Sequence, residues 1–273
     1  MILRGRSFGF FRRRKCAGLV LVFLFCAGIF GFAAEEPWRE VKSEHFIVYY
    51  FDDAPFAREV SLRAEKYYRQ IASDLGYSRY DNFWQWESRA KIYIYRDQQE
   101  FRQVTGALAW VHGTAFYDKR TIVSYKWGTD FLDVLLPHEL AHLIFRDFVG
   151  FKGEVPLWLD EGVAQWEETR RREEIFDAGR NLILSKQYIP LIKLTKLDQR
   201  SSADPVITSK LYVQAATLVG FMIEKYGPTK FITFCRQLRD GHNIDESLSF
   251  AFTGSIRNLE ELEKKWVQYY GGT

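Results

Sequence analysis

Five histidines occur in the 273-residue chain, and two of them, His138 and His142, stand four apart in the string HELAH. On a helix that spacing puts both imidazoles on one face, where they can reach a single Zn²⁺ at about 2.0–2.1 Å. Glu139 lies beside that face, placed to take a proton from a metal-activated water as the water attacks a carbonyl. Two ligands do not make a catalytic centre. Such a site keeps three protein ligands and an open position, so an oxygen or nitrogen must come from a second element. The segment PLWLDEGVAQW at 156–166 supplies a candidate in Glu161, which follows His142 with 18 residues between them. Pro156 suits a first helical turn, and Gly162 would let two helices approach closely.

The elements that must position these residues can be read from periodicity. Residues 45–51 (HFIVYYF) form a β-rich run, 55–76 are amphipathic with Gly at the end, and 90–95 (AKIYIY) alternate with period two. Asp97 suits the N-cap of a short helix ending at Gly106, and 111–125 suggest two strands around a polar turn at 117–120. Helices are expected near 130–149, 156–174, 208–226, 228–240 and 257–270. The fold class is therefore α+β: an N-terminal mixed sheet with helices over about 42–150, then a mostly helical lobe over about 151–270, together one catalytic unit spanning 34–273. Pro137, directly before His138, either starts that helix or kinks it.

With these residues in view, the chain resembles the gluzincin metallopeptidases, in particular the bacterial peptidase MA-like family. His138, Glu139, His142 and Glu161 within WLDEG match its signature, and the similarity runs from about residue 42 to 270. The resemblance implies a zincin-like fold, one Zn²⁺ held by His138, His142 and Glu161, Glu139 as general base, and a peptide or protein substrate. Tyr212, in LYVQAATLVGFMIEKYG, resembles the position from which such families present a tyrosine to the active site. There it would donate to the developing oxyanion, and otherwise it is a core residue at a helix start. The sequence also departs from related patterns. Aminopeptidase N-type enzymes carry a GxMEN stretch whose Glu holds a free amine; the corresponding residues here are His112, Gly113, Thr114, Ala115 and Phe116, without a carboxylate. An endopeptidase is therefore favoured, with an edge strand able to pair with an extended peptide. Thermolysin-like members place an Asp four residues after the zinc Glu, where this chain has Gln165, and Asp160 is an alternative partner for a ligand imidazole. An alternative function is a zinc-containing envelope scaffold with a vestigial peptidase site, although a binding module has no need of Glu139.

Charge and hydropathy suggest an address. The chain carries 38 Lys+Arg and 35 Asp+Glu, but six of the bases fall in residues 1–15 without an acid, leaving 32 bases against 35 acids downstream. Nucleic-acid binding loses its electrostatic basis, because the body is net acidic. After the basic run, residues 16–34 are uncharged and apolar, with Gly31 and Ala33 at positions suited to cleavage after Ala33. Residues 1–33 are expected to be a signal peptide or a membrane anchor, and either places the body outside the cytoplasmic membrane, periplasmic, extracellular or anchored through the apolar segment. Cys16 and Cys26 fall in that leader, so Cys235 is left as a small buried hydrophobe. The run EETRRREE at 167–174 reads as a solvated helix face, because Glu167 with Arg171 and Glu168 with Arg172 have favourable spacing. Tyr77, Tyr80, Phe83, Trp84 and Trp86 read as packing under a loop. His45 reads as structural; His242 in a turn reads first as a solvated loop histidine, with oxyanion donor the lesser alternative, and the oxyanion role is likewise the lesser alternative for His112 near the substrate strand. Oligomeric state is not encoded in any pattern found.

Overall fold

The computed structural model describes residues 38–76, 84–109, 111–128, 130–150, 155–198 and 204–272, with 36–273 assigned to one compact unit. The leader at 1–33 and three of the loop aromatics, Tyr77, Tyr80 and Phe83, lie outside the described residues.

The α+β expectation holds. Five strands, β1 (Arg39–Lys42), β2 (Phe46–Tyr50), β3 (Ala90–Tyr95), β4 (Gly113–Phe116) and β5 (Thr121–Tyr125), form a sheet in the order β1-β2-β3-β5-β4. The central three strands run parallel, and the outer two, β1 and β4, are antiparallel to their neighbours. On one face Phe46, Val48, Ala90, Ile92 and Ile122 are wholly buried, as expected for parallel strands covered by helices. Covering them are α1 (Ala54–Asp74) and α3 (Leu136–Val149). Asp53 caps α1 by accepting from the Phe56 N–H at 2.9 Å, and Pro55 sits in the first turn. The short helix α2 (Gln98–Thr105) starts at the Asp97 cap and ends at Gly106 in the left-handed conformation, with φ +68°, as expected. It lays Phe101 on Val123 and Tyr125 on the opposite face of the sheet.

The C-terminal part is helical: α4 (Leu157–Glu167), α5 (Arg172–Leu184), α6 (Leu191–Leu194), α7 (Pro205–Tyr226), α8 (Pro228–Arg239), α9 (Ile244–Ala251) and α10 (Leu259–Gly271). Helix α7 is long and apolar enough to cross a membrane by composition, but here it is the core helix that α4, α5 and α8 pack upon. Its buried Gln214 clamps a loop, accepting from the Ile189 N–H at 2.7 Å and donating to the Ile189 carbonyl at 2.9 Å. Gly162 of α4 lies against α7 so closely that a Cβ there would meet the Ala215 carbonyl oxygen and Val219 Cγ2 at 2.6 Å each. The close approach foreseen for Gly162 is therefore real, and α7 is the partner.

Several expectations need correction. The helix drawn over 156–174 is two: Glu168, with φ −73° and ψ 63°, ends α4, a 3₁₀ turn Thr169–Arg171 follows, and α5 starts anew at Arg172. Strand β1 and helices α6 and α9 went unforeseen, and α7 starts at Pro205 rather than 208. At Pro137 both alternatives are partly met. The proline sits in the first turn of α3, and the chain enters it through a π-turn, Phe131–Leu135, closed by Leu136 N–H donating to Phe131 O. A proline that cannot donate to the preceding turn is accommodated where the spacing is already widened. Trp84 is buried and donates to Asp147 Oδ2 at 2.6 Å, fitting the packing role, whereas Trp86 is 75% exposed. Cys235 is buried, and burial pushes its thiol well above the usual range.

Candidate active site

Helix α3 carries His138, Glu139 and His142, and α4 packs beside it carrying Asp160 and Glu161. His138 Nε2 and His142 Nε2 are 3.1 Å apart, and Glu161 Oε2 lies 3.6 and 3.7 Å from them. The three atoms form a small triangle. A tetrahedral zinc with arms of about 2.0–2.1 Å sets its ligand atoms about 3.4 Å apart, so the donor set fits that ion.

Hydrogen bonding gives the same answer independently. His138 Nδ1 lies 2.7 Å from Glu168 Oε1, and His142 Nδ1 lies 3.3 Å from Asp160 Oδ1. The His142 contact is an ion-pair contact rather than a well-directed hydrogen bond. A carboxylate facing Nδ1 holds the ring proton there, which leaves the lone pair on Nε2. Both Nε2 lone pairs then converge on one point, together with Glu161 Oε2, a buried oxygen without a hydrogen-bond partner. Three acceptors meeting without a donor form a seat for a cation. Burial opposes charge on His142, but Asp160 and Glu161 outweigh it and push the imidazole up to about 10. Burial pushes the Glu161 carboxyl upward as well. A cation that binds between these residues would therefore displace the proton from His142 Nε2.

The site opens on a cleft of about 560 Å³ lined by His138, Glu139, His142, Glu161 and Tyr212, with β4 residues Gly113, Thr114 and Ala115 along one wall. Strand β4 ends the sheet, and among the described residues its outer edge has no strand partner. Tyr212, from the second turn of α7, reaches the cleft from the far side. Its hydroxyl is held protonated first by burial and then by the nearby charges of Glu161, Glu139 and Glu168. His112 also lines the cleft, its Nδ1 2.5 Å from the Tyr125 hydroxyl and its ring stacked on Trp127 at 4.3 Å. His242 is not among the cleft residues; it lies on the surface 3.6 Å from Glu246. His45 is buried against Tyr68, with Nδ1 2.7 Å from Glu65 Oε2, consistent with a structural role.

Glu168 is the residue that sequence reasoning missed. The run 167–174 is not a solvated face throughout, because Glu167 and Glu168 are only 1% and 2% exposed. Gln165, at the position where an outer carboxylate was sought, comes no closer than 3.5 Å to His138 Nδ1, and Glu168 takes that place. The available signal was spacing: Glu168 follows Glu161 by seven residues, two helical turns on the same side. Arg172 likewise turns inward, donating to the Trp166 carbonyl and lying 3.9 Å above the Trp166 ring.

Glu167 has both carboxylate oxygens buried without a hydrogen-bond partner. Burial, reinforced by Asp74, pushes its carboxyl from 4.5 up to about 8. Between those values the folded chain keeps a proton that the unfolded chain has released. This contribution to stability is full below pH 4.5 and declines toward pH 8, by up to about 1.4 kcal/mol per pH unit. Glu167→Gln removes the titration. Its urea midpoint, compared with wild type across that window, is expected to gain steadily as pH rises, and parallel profiles would contradict the assignment.

No curated protein shows significant similarity to the chain. A family model does match: residues 81–270, well over half the chain and including the entire site, fit the peptidase MA superfamily. With HELAH on one helix, Glu161 on the next and that match across both, the chain belongs to the peptidase MA superfamily, whose members are metallopeptidases and generally zinc-dependent.

Proposed function

We propose that the protein is a zinc-dependent endopeptidase of the cell envelope. The observation that carries this reading is the convergence of His138 Nε2, His142 Nε2 and the unpartnered Glu161 Oε2 beside a cleft that also holds Glu139 and Tyr212. One zinc ion held there supplies Lewis acidity, activating water and polarising the scissile carbonyl. Glu139 accepts the proton of the attacking water and passes it to the leaving amine. Tyr212 keeps its phenolic proton at neutral pH, because burial and three carboxylates oppose its loss. It can therefore donate to the oxyanion, a contribution on the order of 2.7–4 kcal/mol for one such donor. An extended peptide would add to the free edge of β4 by main-chain hydrogen bonds.

Endo-cleavage is supported by the wall chemistry. Strand β4 brings no carboxylate to the cleft, and the three glutamates that line it, Glu139, Glu161 and Glu168, lie at the metal-site end. A free amine therefore has no dedicated counter-charge. The envelope location rests on the leader: basic residues, an apolar stretch and small residues at 31 and 33. The mass of the exported protein distinguishes a cleaved signal from a retained anchor.

The test is cleavage of an unstructured protein and of paired peptides with free and acetylated N-termini. Wild-type protein with zinc is expected to cut all of them, to stop on chelation and to recover on adding zinc. Loss of cutting on acetylation would replace the endopeptidase with an aminopeptidase. Stoichiometric zinc without cleavage of any substrate would favour the scaffold reading.

A further inference from the structure

Asp160 has a surrounding that Glu168 lacks. The two carboxylates play parallel parts toward the two imidazoles, but the second oxygen of Glu168 accepts no hydrogen bond and has only an ion-pair contact with Arg171 at 3.7 Å. Asp160, 3% exposed, divides its oxygens. Oδ2 accepts from the Tyr117 hydroxyl at 3.1 Å and from Arg146 Nη2 at 3.1 Å, while Oδ1 faces His142 Nδ1 at 3.3 Å and accepts a longer bond from Arg146 Nε at 3.4 Å. The Arg146 guanidinium also lies 4.9 Å above the Tyr117 ring, so the three side chains close on one another. Tyr117 is the first residue after β4 and starts the 3₁₀ turn Tyr117–Lys119. The strand placed to receive a peptide is thus one residue from the side chain that fixes the carboxylate behind a metal ligand.

We propose that Tyr117 is a positioning residue for the metal centre: its hydroxyl, with Arg146, holds Asp160 so that Oδ1 faces His142 Nδ1 and the His142 Nε2 lone pair points at the ion. This rests on the zinc reading above. The physical reason is directional. A carboxylate free to rotate offers either oxygen to the imidazole, whereas two donors on Oδ2 leave only Oδ1 and fix the plane of the ring. Arg146 supplies a counter-charge to this buried carboxylate, 3.1 Å from Oδ2. Tyr117 acts on the metal through two intervening side chains and needs no contact with substrate.

Tyr117→Phe keeps the ring, its contact with Arg146 and the fold of the turn, and removes only the hydroxyl. Zinc affinity, read by competition with a chromophoric chelator, is expected to weaken roughly tenfold, the low end of the 10–100-fold typical for outer partners of a metal site. The thermal midpoint of the zinc-free protein should stay unchanged. In an Asp160→Asn background, where the pathway is already broken, Tyr117→Phe should add less than about twofold, because residues acting through one partner are not additive. Wild-type zinc affinity in Tyr117→Phe, with or without lower turnover, overturns the proposal, and with lower turnover it moves the hydroxyl to the substrate. An undiminished loss in the Asp160→Asn background overturns it as well. If wild-type protein binds no zinc, the metal reading itself fails, which is a different result.

Discussion

Glu139→Gln is expected to leave zinc in place and to lower peptide cleavage by on the order of 10²–10⁴-fold. The amide has nearly the size and shape of the carboxylate, and Glu139 is 8% exposed within the cleft wall, so the change should perturb packing little. It removes the ability to accept a proton at the moment water attacks. Glu139 is not one of the three residues whose ligand atoms converge, so metal content should not follow activity. That separation is the useful part of the result. Cleavage at the wild-type rate would require another base, and His112, which lines the same cleft, would be the next residue to test.

Glu161→Gln is expected to do the opposite: metal content falls first, and activity falls because of it. The substitution replaces the one anionic donor of the triangle with an amide, leaving two imidazoles 3.1 Å apart with nothing negative to complete the set. Loss of an outer partner costs 10–100-fold in metal affinity, so loss of a direct ligand should exceed that range. Circular dichroism should show the helices retained, because the contact that seats α4 against α7 is made by Gly162, not by the Glu161 carboxylate. Unchanged stoichiometric zinc would remove Glu161 from the ligand set.

The convergence of His138, His142 and Glu161 was legible because it depends on two regularities that need no tertiary knowledge. Four residues on a helix bring two side chains together, and a Gly beside Glu161 announces a close helix contact. Strands β2 and β3 and helices α1 and α2 were legible for a similar reason: the apolar period marks the first three, and the Asp97 cap marks α2. What failed was local in a different way. Glu168 was read by its charge pattern with Arg172, yet α4 ends there and the side chain turns inward, a choice made by His138 across the helix pair. Asp160 was noticed, but its hold on Tyr117 and Arg146 joins residues 43 and 14 positions away, and no period encodes such distances. Helix α9 could have been found. Asn243 and Glu246 form a capping box, and that spacing was visible inside what was taken for a plain turn. Strand β1 had no such marker: REVK offers a single apolar residue, Val41, too little to set a period, and it is ordered by pairing with β2.

The absent side chain at Gly162 has a mechanical consequence. Glu161 precedes it on α4, and on α7 the residues it touches, Ala215 and Val219, follow Tyr212 by three and seven positions, along the same side of the helix. With the Ala215 carbonyl and a Val219 methyl pressed against Gly162 at that crossing, the two helices have little room to shift. Glu161 and Tyr212 therefore travel as a single rigid body, with their spacing set like the jaws of a locked caliper. Any breathing of the cleft to admit a chain or release its halves has to come from the opposite jaw, where β4 and the turn after it border the opening.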